Sequence, residues 1–200
     1  MRYPGKPFLL RLADAKLQLF FGLCCESANN RKFAPFMHSN IQSINMTDRE
    51  LMQIAIRLSE DNVQNGGGPF GAVIAKDGEV VATGVNRVTA NNDPTAHAEV
   101  SAIREACRKL KSFKLDGCVV YSSCEPCPMC LSALYWAGIS KIYYANTKDD
   151  AKAIDFDDSF LYDELKLERS ERSIPVEQLM HQEALHAFAL WRDKEDKMEY

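Results

Sequence analysis

An α/β fold, with a central sheet covered by helices, is what this 200-residue sequence predicts. Short runs rich in β-forming apolar residues alternate with stretches of helical period, and Asp-Gly, Asp-Pro and Gly-rich signals fall between them. Composition agrees: 46% apolar and 26% charged residues describe one soluble domain, able to bury roughly two thirds of its unfolded surface.

The elements follow in order. Thr47-Asp48-Arg49-Glu50 is a capping box opening an amphipathic helix with Leu51, Ile54, Ala55 and Leu58 on one face. A glycine-rich stretch from Asn65 to Gly71 leads into two apolar runs, Ala72 to Ala75 and Val80 to Val85, which Lys76-Asp77-Gly78 joins as a hairpin. Asp93-Pro94 signals a helix start, and the pattern continues through Ala98, Ala102, Ile103 and Ala106 to Leu110. After the Asp116-Gly117 turn come a buried strand from Cys118 to Tyr121, a helix opened by Pro126 and Pro128 and closed by Gly138, and a strand from Lys141 to Ala145. Helical patterns at Phe160 to Leu167 and Glu183 to Lys197 flank a short extended stretch from Ile174 to Met180. Residues 1–45 show no sustained period and read as an N-terminal extension, disordered or targeting, with Met46 a candidate natural start and residues 46–200 the folded domain.

Charge and cysteine content narrow the function. The longest runs without a charged side chain, Phe33 to Thr47 and Pro126 to Ser140, are fifteen residues each, short of the roughly 18 a membrane span needs. Residues 1–45 carry a charge of +4 and residues 46–200 carry −8, so the body lacks the basic surface that a nucleic acid requires, and a small substrate fits better. Three of the seven cysteines, Cys124, Cys127 and Cys130, crowd beside a proline. That pattern belongs to metal chemistry in a reducing compartment, the cytoplasm, more than to a disulfide framework.

The chemistry-bearing residues are His97-Ala98-Glu99 and Pro126-Cys127-Pro128-Met129-Cys130, each at a predicted helix start. Cys127 and Cys130, three apart, share a helix face, and with His97 they supply three ligands for a tetrahedral zinc. A water in the fourth position makes such a site catalytic, its pKa lowered toward roughly 7. Glu99 lies two residues from His97, about 200° around a helix, so it meets the same centre from another side and suits proton transfer rather than ligation. The bland alternative is a closed structural site in which Cys124 is the fourth ligand. Phe70 is a candidate to stack on a flat base or, equally, a core residue; Asn86 offers an amide to a heterocycle or serves its own turn. The glycines before Phe70 lack the Gly-Lys-Ser/Thr of a phosphate loop.

His-x-Glu with Pro-Cys-x-x-Cys is the signature of zinc deaminases. From Thr47 to Tyr200 the sequence resembles the bacterial guanine deaminases of the cytidine deaminase-like superfamily, through Gly67-Gly68-Pro69-Phe70-Gly71-Ala72-Val73-Ile74, Asn92-Asp93-Pro94-Thr95-Ala96-His97-Ala98-Glu99-Val100, Ser123-Cys124-Glu125-Pro126-Cys127-Pro128-Met129-Cys130 and Phe156-Asp157-Asp158-Ser159-Phe160. The first three motifs are common to many base and nucleoside deaminases; the fourth narrows the substrate. The resemblance implies a three-layer cytidine deaminase-like fold with a mixed sheet covered on both faces, and one Zn2+ per subunit on His97, Cys127 and Cys130 rather than Cys124. It further implies hydrolysis of guanine to xanthine and ammonia with Glu99 shuttling protons. It places Phe70, Asn86 and Asp158 at the purine, gives Asp158 a part in proton transfer, and makes the terminal Tyr200 a closing residue. A homodimer with an exchanged C-terminal segment is implied as well, so that Tyr200 can serve the partner's site. The first 45 residues have no counterpart. Rivals keep the mechanism and change the substrate, to guanosine, cytosine, another nucleoside or a tRNA adenosine; a different class of rival is a binding module that zinc only folds.

Overall fold

A computed structural model describes residues 45–199. Helix α1 (Asp48–Gln64) opens on the expected capping box: Glu50 N donates to Thr47 Oγ1 at 3.3 Å and Thr47 N to Glu50 Oε2 at 2.9 Å. The hairpin β1 (Gly71–Lys76) and β2 (Glu79–Val85) turns through Asp77 and Gly78, with φ of 51° and 79°. Positive φ at both central residues matches the right-handed twist of the strands, which explains an Asp-Gly pair here. A short helix α2 (Val88–Asn91) precedes α3 (Ala98–Leu110); then come β3 (Cys118–Cys124), α4 (Pro128–Trp136) and β4 (Lys141–Asn146). Helices α5 (Lys148–Lys152), α6 (Ser159–Glu164) and α7 (His181–Asp193) follow, with a 3-10 turn at Arg169–Glu171.

The sheet has the order β2-β1-β3-β4, antiparallel at β2-β1 and β1-β3 and parallel at β3-β4. Strand alternation builds three layers. Val73 and Ala75 of β1 face α1, where Leu51, Ala55 and Tyr121 complete one core, whereas Ala72 and Ile74 face Ala98, Ala102 and Ala106 of α3 and Leu134 of α4. The small residues let α3 approach closely. A Cβ added to Gly84 of β2 would lie 2.1 Å from the Ala98 carbonyl oxygen, so only glycine fits where helix and strand cross. Asp48 fastens the start of α1 to the sheet by accepting from Tyr121 Oη (2.6 Å) and Tyr143 Oη (2.7 Å).

Three sequence expectations shift. The helix signalled at Asp93-Pro94 begins at Ala98, because the Asp93 carboxylate is engaged two residues on, by the backbone nitrogen and hydroxyl of Thr95 (2.8 and 2.7 Å), and closes a turn instead of a cap. Strand β3 runs on to Cys124, so the cysteine motif starts at a strand end. The last helix, expected from Glu183 to Lys197, spans His181–Asp193 and buries none of its residues, and Ile174 to Met180 joins no strand among the described residues. Expectations for residues 1–44 and for Tyr200 lie outside the described residues. None of the described helices is long and apolar enough to cross a membrane.

Candidate metal and active site

The site forms where the C-terminal end of β3 meets the first turns of α3 and α4. His97 caps α3, Cys127 caps α4 rather than lying on it, and Cys130 is the third residue of α4. His97 Nδ1 lies 3.6 Å from Cys127 Sγ and 3.5 Å from Cys130 Sγ, and the three donor atoms fall within 4.8 Å of one another. A nitrogen and a sulfur bound to one tetrahedral zinc, at roughly 2.0 and 2.3 Å, stand about 3.5 Å apart, so the edges already have the length the ion demands.

Charge supports the same fit. Cys127 is pushed down to about 4, first by the hydrogen bond from Cys130 and then by His97, while Cys130 is pushed up by that bond to Cys127 and by burial. The His97 pKa is raised, chiefly by its hydrogen bond with Cys127. One thiolate is thus favoured without a metal. A second thiolate beside it, next to a buried carboxyl, needs a dication. The Cys130 backbone N–H, at the start of α4, also donates to Cys127 and lowers that cost further. Cys124 is not in the cluster: its Sγ faces the Thr147 carbonyl oxygen at 3.5 Å, and burial raises its pKa to about 11. Among the described residues the donor set is therefore His97, Cys127 and Cys130.

Glu99, at the second position of α3, is only 6% exposed. Its Oε1 accepts from Ser122 Oγ at 3.0 Å, and its Oε2 lies 3.4 Å from Cys130 Sγ. Burial raises its pKa above the usual glutamate value.

Of the expected substrate residues, Phe70, Asn86 and Asp158 are among those described. Phe70 is half-buried where the glycine loop enters β1, and the Phe156 ring stands edge-on to it at 4.9 Å. Asn86 follows β2; its Oδ1 accepts from Val88 N at 3.3 Å, so the oxygen serves the local turn. Asp158 caps α6, half-buried, with its pKa raised by burial and then by Cys127, and it contributes in turn to the raised pKa of His97. Cys127, His97, Glu99 and Asp158 are thereby one electrostatic neighbourhood. Asp157 differs: hydrogen bonds from Ser159, then the Lys152 ammonium, hold it at about 2.

Comparison with known proteins places this geometry. The family model for the cytidine and deoxycytidylate deaminase zinc-binding region matches residues 45–146, covering both ligand motifs. The chain belongs to this family. As a member of the zinc deaminases it is 49% identical over 156 residues to the guanine deaminase of Bacillus subtilis, an alignment spanning 78% of this chain and 100% of that relative. It superposes on an X-ray structure of the Bacillus subtilis guanine deaminase with a TM-score of 0.76, covering 78% of this chain and 99% of the other. A guanine deaminase structure from Nitrosomonas europaea is more distant, at 33% identity and a TM-score of 0.54, over 56% of this chain and 66% of that one. The tRNA-specific adenosine deaminase of Aquifex aeolicus is 42% identical over 94 residues, 47% of this chain and 62% of that relative.

Several side chains that make contacts here were given no role by the sequence, although Phe156 stands in the fourth motif. Ser122 holds the glutamate, Phe156 abuts Phe70, and Asn62 donates from Nδ2 to the carbonyl oxygens of Gly68 (2.8 Å) and Asn86 (2.9 Å). The alternation of β3 was the available clue for Ser122, because a polar residue amid buried neighbours must find a partner.

Proposed function

We propose that this chain is a homodimeric guanine deaminase, hydrolysing guanine to xanthine and ammonia. The observation that carries the reading is the buried Glu99 set against the His97, Cys127 and Cys130 cluster, in a chain alike along the full length of a known guanine deaminase. His97, Cys127 and Cys130 would hold zinc, which when bound supplies a water acidic enough to act as nucleophile near neutral pH.

The remaining work falls to the protein. Ser122 fixes Oε1 of Glu99, so Oε2, the oxygen beside the ligand cluster, is the one turned to the reacting atoms. There it takes one proton from the attacking water and passes it to the purine ring nitrogen, then takes the second from the new hydroxyl and passes it to the departing amine, which leaves as ammonia as the carbonyl forms. Phe70 presents an aromatic face to the flat base, and the Asn86 amide, its oxygen engaged with Val88, offers its N–H donors. Asp158, beside the cluster and above its usual pKa, contacts the purine and assists proton transfer. Tyr200 closes the site, supplied by the partner subunit through an exchanged C-terminal segment. Exposed apolar side chains on that segment support the exchange: Phe188 is 75% and Leu179 85% accessible within one chain. Residues 46–200 constitute the deaminase domain, with residues 1–45 an extension to it. The five described cysteines are free thiols, which fits the cytoplasm.

Ammonia release on guanine, guanosine, cytosine, cytidine and adenine, with Glu99→Gln as control, tests the reading. Guanine is expected to be preferred, with turnover falling roughly a hundredfold or more in the variant. Preference for a nucleoside or for cytosine overturns the substrate and the role of Asp158; an unaffected variant overturns the mechanism.

A further inference from the structure

We propose that Asn62, on the last turn of α1, is a positioning residue that sets the purine-binding gap between Phe70 and Asn86. The inference rests on the reading of Phe70 and Asn86 as substrate residues. Asn62 is buried, and its carboxamide nitrogen has two hydrogens and two acceptors: the Gly68 carbonyl oxygen at 2.8 Å and the Asn86 carbonyl oxygen at 2.9 Å. Both partners accept, so the amide can be oriented only one way.

The bonds form a closed circuit. Phe70 N also donates to Gly68 O (2.8 Å), Asn86 N donates to Phe70 O (3.1 Å), and Gly67 N donates to Asn62 O (2.8 Å). One amide therefore ties a rigid helix to the segment preceding Phe70 and to the residue leaving β2. A neighbouring glycine makes room for it. A Cβ added at Gly67 would lie 2.3 Å from Asn62 Nδ2, so even alanine there must displace the amide. The hydrogen bonds of Asn62 run to Gly67, Gly68 and Asn86 and to its own helix turn, not to His97, Cys127 or Cys130, which separates aligning the base from the chemical step.

Zinc-loaded full-length protein is compared with Asn62→Ala, Gly67→Ala and the double variant. The single variants are expected to raise KM for guanine about tenfold, the scale of one net hydrogen bond, with kcat within about threefold of the parent and zinc content unchanged. Because both disturb one amide, the double variant should be no worse than Asn62→Ala alone. Thr47→Ala, which weakens the opposite end of the same helix, should leave KM unchanged and so separates positioning from general loosening. An unchanged KM in Asn62→Ala, a loss confined to kcat, multiplying effects in the double variant, or an equal KM rise in Thr47→Ala each overturns the proposal. If the parent prefers another substrate, the reading of function fails, and the same comparison on that substrate's KM still decides the role of Asn62.

Discussion

Cys124 and Cys127 are three residues apart in sequence and serve different purposes, because β3 ends at the first and α4 begins just after the second. Cys124→Ser is therefore expected to retain stoichiometric zinc and activity, whereas Cys127→Ser should lose both; metal analysis of the purified variants checks this. Acid should release the metal as protons compete for the thiolates, measurable as zinc freed to an indicator dye when pH is lowered. The His97, Cys127 and Cys130 cluster was legible in the sequence because the two cysteines keep a short ligand spacing and the histidine stands in its own short motif. Ser122 and Asn62 were not. Ser122 meets Glu99, and Asn62 meets Asn86, only after strands and helices distant in sequence have packed, and no local pattern encodes that meeting.

Most elements were readable because each carries its own boundary chemistry: the Thr47 capping box, the Asp77-Gly78 turn, the proline at the start of α4. The Asp93-Pro94 signal misled because a nearer competitor, Thr95, takes the carboxylate. Helix α1 yields a pH prediction. Hydrogen bonds from Tyr121, then Tyr143, hold the Asp48 pKa below its usual value in the folded protein. A depressed folded pKa gives stability that is present above the unfolded value of about 4 and is lost as pH falls through the folded one. Asp48→Asn should accordingly lower the melting temperature at neutral pH, and the gap to the parent should narrow in strong acid. At the β2-α3 crossing, Gly84→Ala places a methyl 2.1 Å from Ala98 O and 2.5 Å from Ala102 N. Backbone must move, taking His97 and Glu99 at the start of α3 with it, so thermal stability and zinc retention are expected to drop together.

At the scale of the whole molecule, residues 159–199 form a strap whose apolar side chains find little cover among the described residues; Ala184, Leu185 and Phe188 of α7 are all exposed. Sequence periodicity showed a helix there but not its solvent exposure, because an amphipathic pattern does not say which surface, or whose, will cover it. Light scattering should find a dimer for the parent and a shift to monomer for Phe188→Glu. The sheet adds a second open boundary. Among the described residues no strand lies beyond β4, whose sequence Lys141-Ile142-Tyr143-Tyr144-Ala145-Asn146 presents a tyrosine-rich outer margin. Such a margin templates further strands. Whatever caps it thus guards against fibrous self-association.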